Sequence, residues 1–222
     1  MEETDLNPSK GKPTILCMFS GGVDSTGVLH QLMTNEKYAD HPLIIHHIHI
    51  HNRENRAKAE AAAVHSILSY YKQNSIKDFL YSENVFNTMG FASLKSKRFP
   101  FDMDVCAFIA GNICAARKDI LFVAMGRTKT DIDSNAGHFA LRMNRAQEIF
   151  KNVVSLDMPK PPTYIFPVMD LTKKEIWDSL PEAVRSNTWW CRRPIYSDTQ
   201  PAKTCGVCPT CKDVKSFANA GL

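Results

Sequence analysis

The sequence is poor in the features that would place a protein in a membrane, in a disulfide scaffold or along a nucleic-acid backbone. No apolar run approaches the roughly 18 residues of a spanning helix, and the N-terminus carries no charged, then apolar, then small-residue export pattern. The expectation is a chain without membrane contact that works inside the cell, with the cytosol as default. Seven cysteines in 222 residues are too few for a fold stapled by disulfides, and four of them fall close together near the end, which in a reducing compartment points to metal. The formal net charge is only +4, and Lys and Arg are scattered rather than striped, so composition neither demands nor excludes nucleic acid. Also missing is the lysine of G-x-x-x-x-G-K-[ST], which excludes the common nucleotide P-loop.

What is present is an alternation of short apolar runs with amphipathic helical patterns. After a leader over 1–13, residues 15–19 read as a buried strand, and Val28, Leu29, Leu32 and Met33 mark the apolar face of a helix. Between them lies Ser20-Gly21-Gly22-Val23-Asp24-Ser25-Thr26. Two glycines let backbone N–H groups turn inward, three hydroxyls add donors, and the helix N-terminus adds partial positive charge, so the junction is suited to phosphate. Residues 43–50 read as a second strand, 53–72 as a helix striped by Ala57, Ala61, Val64, Ile67, Leu68 and Tyr71, and 79–81 as a third strand. Residues 84–101 read as an irregular, substrate-facing loop carrying Lys95, Lys97 and Arg98. A helix over 105–116 holds Cys106 and Cys114 as core residues rather than nucleophiles, and 120–125 is a fourth strand opening on Gly126. A fifth strand over 165–168 precedes a helix that starts at a capping box of Thr172 and Glu175. The alternation implies an α/β fold, a doubly wound, Rossmann-like parallel sheet, as one domain over 14–180 with an appendage over 181–222.

Two clusters raise the question of metal. His46, His47, His49 and His51 sit along one strand, where alternation sends His46 to one face and the others to the opposite one; they do not converge as ligands, and a pocket-lining role for one or two is expected instead. Cys205, Cys208 and Cys211 stand at C-x-x-C-x-x-C spacing with Cys191 on a separate arm. Four thiolates suit tetrahedral zinc in a closed, structural site; an iron–sulfur cluster is the rival that thiolate count alone does not separate.

Ser-Gly-Gly-Val-Asp-Ser resembles the pyrophosphate loop (PP-loop) of the N-type ATP pyrophosphatases, an adenine nucleotide α-hydrolase-like group. Together with Pro-Val-Met-Asp-Leu-Thr-Lys-Lys-Glu-Ile-Trp at 167–177 and the Thr-Trp-Trp-Cys and Cys-Gly-x-Cys-x-x-Cys tail, it is similar to 7-cyano-7-deazaguanine synthase of queuosine biosynthesis over nearly the whole chain. That resemblance implies a carbon–nitrogen ligase that adenylates a carboxylate, 7-carboxy-7-deazaguanine or a relative, for amide or nitrile formation with ammonia, releasing AMP and pyrophosphate. It implies ATP bound by Phe19, Ser20, Gly21, Gly22, Val23, Asp24, Ser25, Thr26, Gly27, Val28 and Leu29 with Gly126, and Ser20, Asp24 and Ser25 as catalytic residues. Asp24 would place Mg2+ or order the loop, zinc would sit on Cys191, Cys205, Cys208 and Cys211, and the assembly would be a homodimer. His51, Arg53, Thr130 and Asp131 are the substrate-side candidates. The chain departs from that family where Asp-Tyr-Gly-Gln is replaced by Ile50-His51-Asn52-Arg53, and again at 100–103 and 134–139; only Thr130-Asp131 survives there. Adenylation is therefore carried by matching residues, and the deazapurine by residues that differ. A different acceptor in nucleic-acid modification or defence, a tRNA thiolase, and a non-catalytic nucleotide and zinc-knuckle binding module are the other readings.

Overall fold

A computed structural model describes residues 12–90, 101–134, 136–156, 158 and 160–218. Five strands, β1 (Thr14–Met18), β2 (Leu43–His51), β3 (Leu80–Asn87), β4 (Ile120–Ala124) and β5 (Thr163–Ile165), form one sheet in the order β3-β2-β1-β4-β5, with every pairing parallel. Every residue of β1 is buried, as a central parallel strand covered on both faces requires. Its alternate side chains divide between two cores. Ile15 and Cys17, with Leu43 and Ile45 of β2, pack against Val28, Leu29 and Leu32 of α1 (Val23–Thr34) and Val64, Ile67 and Leu68 of α2 (Ala57–Gln73). Leu16 and Met18, with Ile44, Ile48 and Ile50, pack against Val105, Ala107 and Ala110 of α3 (Asp102–Ala116) and against Ala146, Phe150 and Val154 of a further long helix. The sheet is doubly wound, as the alternation predicts. The chain moves outward from β1 through β2 to β3 and then returns to β4 on the other flank, so the crevice of the fold opens at the carboxyl ends of β1 and β4.

The structure differs from the sequence reading at several places. The third strand continues to Asn87, paired with β2 from Ile44 opposite Leu80 to His51 opposite Asn87. It is an edge strand whose polar Ser82, Glu83 and Asn84 conceal its period. Residues 84–87 thus belong to the sheet, and 91–100, with Lys95, Lys97 and Arg98, lie outside the described residues. Helix α2 starts at Ala57 because Asn55 takes the left-handed conformation, with φ of 51°. The fifth strand ends at Ile165, ahead of Pro167, which cannot donate to a ladder. Helices α4 (Lys129–Ser134) and α5 (Ala136–Val154) occupy a stretch given no assignment above, although Met143, Ala146, Phe150 and Val154 form a buried stripe at helical spacing. Among the described residues, no helix is long and apolar enough to cross a membrane.

The Thr172 capping box is present: the Glu175 N–H donates to Thr172 Oγ1 at 3.2 Å, and the Thr172 N–H donates to Glu175 Oε2 at 2.7 Å. It starts α6 (Lys173–Ser179), which is followed by the short α7 (Glu182–Arg185) and lies against α1 so closely that a Cβ built on Gly27 would come within 2.5 Å of Ile176 Cγ2. Ile176 is fully buried and cannot swing away. Gly27→Ala is therefore expected to lower stability by about 1–2 kcal/mol, because overpacking outweighs the helix preference of alanine. In thermal melts this should appear as a Tm drop of roughly 2–8 °C; an unchanged or raised Tm would show that α6 moves aside freely.

Candidate functional site

The loop after β1 is held at both ends. The Phe19 N–H donates to the His46 carbonyl at 2.8 Å, and His47 Nδ1 lies 2.9 Å from the Phe19 carbonyl. Burial pushes the His47 imidazole down to about 4, so it is neutral and serves as the donor in that bond. Gly21 then turns the chain with φ of 73°, where a Cβ would also meet Ala63 and Val64 at 3.2 and 3.3 Å. The Ser20 N–H donates to Ser25 Oγ at 3.3 Å, and the Ser25 hydroxyl donates to the Gly22 carbonyl at 3.1 Å, closing the turn on itself. The first intrahelical bond of α1 runs from the Thr26 N–H to the Gly22 carbonyl at 2.8 Å. The amides of Val23, Asp24 and Ser25 precede it and have no carbonyl within the helix to reach, which makes the mouth of the loop an anion cradle.

Lys173, the first residue of α6, supplies the cation that the P-loop pattern lacked. Its Nζ lies 2.9 Å from Asp131 Oδ1 and 3.5 Å from Asp24 Oδ2. Asp131 is set by the Thr128 hydroxyl, which donates to its Oδ2 at 2.8 Å, while Thr130 Oγ1 accepts the Lys173 N–H at 3.1 Å. Burial opposes the Lys173 ammonium, but Asp24 and Asp131 outweigh it and raise its pKa. Burial pushes the Asp24 carboxyl up to about 6, and Asp131 adds to that while Lys173 pulls the other way. Asp24 Oδ1 is buried with no hydrogen-bond partner. An orphaned carboxylate oxygen beside a phosphate cradle is what a divalent cation would complete. Gly126 lets the turn after β4 approach, since a Cβ there would sit 3.1 Å from Asp24 Cβ.

These groups form one end of a cavity of about 360 Å³ at the crevice of the sheet. The other end is a charge network absent from the sequence reading. Arg56 is buried and pairs with Glu60 and Asp102, and its Nε lies 2.8 Å from Glu54; Arg192 reaches Glu54 at 2.8 Å and Asp102 at 3.4 Å. Burial raises the Glu60 carboxyl to about 7 against the pull of Arg56. An Arg and a Glu four residues apart on the buried face of an alanine-rich helix were the available signal, and a search for apolar residues alone passes over them.

Phe19, Ser20, Gly22, Val23, Asp24, Ser25, Gly126 and Asp131 line the cavity. Gly21 turns the loop behind its wall. Thr26, Val28 and Leu29 are buried in the body of α1, and Gly27 faces α6. Thr130 holds the backbone of Lys173 rather than facing the cavity. His51 and Arg53 are exposed and outside the lining. The period of β2 explains the exchange: His46, Ile48 and Ile50 face the cavity, and His47, His49 and His51 alternate to the opposite side. The histidines form no ligand set, and among the described residues the four cysteines are the one group of three or more His, Cys, Asp or Glu side chains placed to share a metal ion.

The sulfurs of Cys191, Cys205, Cys208 and Cys211 lie within 4.8 Å of one another. Backbone N–H groups point at them: Arg193 and Cys205 donate to Cys191 Sγ at 3.3 and 3.2 Å, and Cys208 donates to Cys205 Sγ at 3.4 Å. Gly206, with φ of 71°, makes the tight turn between the ligands, and Pro209 starts α8 (Pro209–Ala218) directly after Cys208. Two segments next to the sulfurs complete the cavity wall, residues 189–192 from the arm and Thr210, Asp213 and Phe217 from α8.

The sequence matches no protein-family model and no curated protein. Among solved structures it is similar to the U34-tRNA thiolase NcsA from Methanococcus maripaludis with its [4Fe-4S] cluster, at a TM-score of 0.51 and 17% identity, over 93% of this chain and 65% of that one. At that identity the likeness is one of fold, and this chain spans under two thirds of the neighbour's length.

Proposed function

We propose that this chain is an ATP-dependent adenylating enzyme that activates a carboxylate and passes nitrogen to it. The observation that carries the reading is the convergence of the free amides of α1, Lys173 and the orphaned Asp24 Oδ1 on one end of a cavity large enough for a nucleotide. The cradle would take the β- and γ-phosphates of ATP, with Ser20 and Ser25 hydroxyls and the Val23, Asp24 and Ser25 amides on their oxygens. Mg2+ held by Asp24 and Asp131 would neutralise charge on the departing diphosphate. A carboxylate is a poor electrophile because its oxygen is a poor leaving group. Attack of that oxygen on the α-phosphorus forms the acyl–adenylate and expels pyrophosphate into the cradle; an amine then adds to the acyl carbon and AMP leaves. The residues stabilise the diphosphate leaving group and keep the α-phosphorus at the cavity side of the loop, where a substrate can approach in line.

For the acceptor, the Thr-Trp-Trp-Cys and C-x-x-C-x-x-C tail supports 7-carboxy-7-deazaguanine or a relative. For the metal, sulfur spacing supports a single zinc ion: metal–sulfur bonds of about 2.3 Å put tetrahedral ligands about 3.8 Å apart. A four-iron cluster holds each cysteine outside its own iron and spreads the sulfurs farther. The fold neighbour is a tRNA thiolase, and tRNA thiolation is the second reading. Against that stands Cys106, the cavity cysteine outside the metal centre: burial pushes its thiol up to about 12, which makes it a poor sulfur carrier.

Incubation with ATP, Mg2+, ammonium and 7-carboxy-7-deazaguanine, followed by mass spectrometry, tests the proposal. AMP with an amide or nitrile base is expected, and none from a Ser20→Ala, Asp24→Ala double variant. AMP formed only with another acceptor would retire the deazapurine and keep the adenylation. No AMP with any acceptor would leave a binding module.

A further inference from the structure

The cysteine arm reaches the phosphate loop through one residue. The Trp189 backbone N–H donates to the Gly21 carbonyl at 2.8 Å, and its indole Nε1–H donates to the Cys191 carbonyl at 2.9 Å. The arm is pinned further along, where the Tyr196 hydroxyl donates to the Asn55 carbonyl at 2.7 Å. A trans peptide is rigid, with C=O and N–H pointing opposite ways. Holding the Gly21 oxygen toward Trp189 therefore aims the Gly22 N–H to the other side, where it donates to Ser20 Oγ at 3.4 Å, and both Ser20 and Gly22 line the cavity. That second bond is long, so the Trp189 bond carries most of the hold, and a peptide between two glycines has no Cβ to hinder its rotation. Rotated, it would present a carbonyl oxygen to an anion.

We propose that Trp189 is a positioning residue for the phosphate loop, clamping the Gly21–Gly22 peptide in its anion-binding orientation for as long as the four-cysteine centre holds the arm. The role in binding rests on reading the loop as the triphosphate cradle; the mechanical coupling does not.

The experiment uses the full metal-loaded chain and two readouts, amide hydrogen exchange over residues 19–25 and ATP affinity by calorimetry. Trp189→Phe keeps an aromatic ring but removes the indole donor, which loosens residue 189 from Cys191. Loop exchange is expected to rise and ATP affinity to fall, each by about tenfold, the equivalent of one lost hydrogen bond, with metal content unchanged and the Tm lowered by no more than about 5 °C. Trp177→Phe is the control: Trp177 packs on Trp190 with ring centroids 5.5 Å apart, and neither loop exchange nor ATP affinity should change. Removing the metal and then the chelator should raise loop exchange in the wild type at least as far as Trp189→Phe does. Loop exchange unchanged in Trp189→Phe, or raised only as part of a chain-wide increase with a larger fall in Tm, overturns the clamp. A wild type that fails to bind ATP would refute the cradle reading, and the exchange comparison would still decide the coupling.

Discussion

Lys173→Met is expected to lower kcat/KM for AMP formation by about a thousandfold, the scale on which a single preorganised charge aimed at a developing anion acts. The side chain keeps its length and packing and loses only its charge; because that charge pairs two largely buried carboxylates, Tm should fall as well. The effect is electrostatic. With Lys173 in place, two carboxylates share one ammonium, at 2.9 Å from Asp131 and 3.5 Å from Asp24. Without it they face each other, and the triphosphate enters a cradle that has lost its fixed cation. A second observable follows from Asp24, whose carboxyl stands at about 6 because burial raises it and Lys173 partly restrains it. Protonated Asp24 cannot hold a divalent cation, so affinity for the magnesium nucleotide should fall in the wild type as pH drops through about 6. Removing the ammonium leaves burial and the Asp131 charge unopposed, raises the carboxyl further and shifts the falling limb to higher pH. Lys173→Arg should recover part of the rate and return the limb toward its original place. Activity within tenfold of wild type, or a limb that stays in place in Lys173→Met, would show that Lys173 serves the fold and not the phosphates.

The parts of this site that could be read from sequence are those in which the chemistry is local. The loop from Ser20 to Thr26 carries its glycines, hydroxyls and helix start within seven residues, and the cysteine knuckle carries three of its four ligands within seven more. The sheet was legible for the same reason, because burial on both faces of β1 and β2 writes itself as continuous apolar runs. Groups assembled across the fold left no such trace. Lys173 lies beside Asp24 only because α6 packs on α1 through the Gly27 and Ile176 contact. Arg56, Glu60, Asp102 and Arg192 come from three separate segments, and each alone reads as a surface charge. His51 misled because a strand ends in the pocket but only alternate residues face it. Helix α5 was missed although its buried stripe is regular, since polar residues and a glycine near its start obscure it.

Cys208→Ser is expected to remove the metal and with it the order of the whole C-terminal region. Structural zinc contributes about 10–16 kcal/mol of binding free energy in small knuckles, comparable with the entire stability of an ordinary domain. Apart from the ion, the region is held by the Arg192 pairs with Glu54 and Asp102, the hydrogen bonds of Trp189 and Tyr196, and the apolar packing of α8. Helix α8 has ten residues, and of these only Cys211 and Val214 are buried. Beyond the sulfurs, Val214, Phe217 and Ala218 pack on the core, with the Phe217 and Trp177 ring centroids 5.8 Å apart. The wild type should carry one zinc per chain, without iron or labile sulfide. Cys208→Ser should lose it, become sensitive to trypsin at Arg192, Lys203 and Lys212, and show a lower Tm. Cys106→Ser, outside the sulfur cluster, should keep full metal content and resist the protease. Because the arm forms one wall of the cavity and bonds to the Gly21 carbonyl, nucleotide affinity should fall together with the metal. Iron with labile sulfide in the wild type would refute the single-ion site, and a metal-free Cys208→Ser that still resists trypsin would mean that packing of α8 on α6, not the ion, holds the tail.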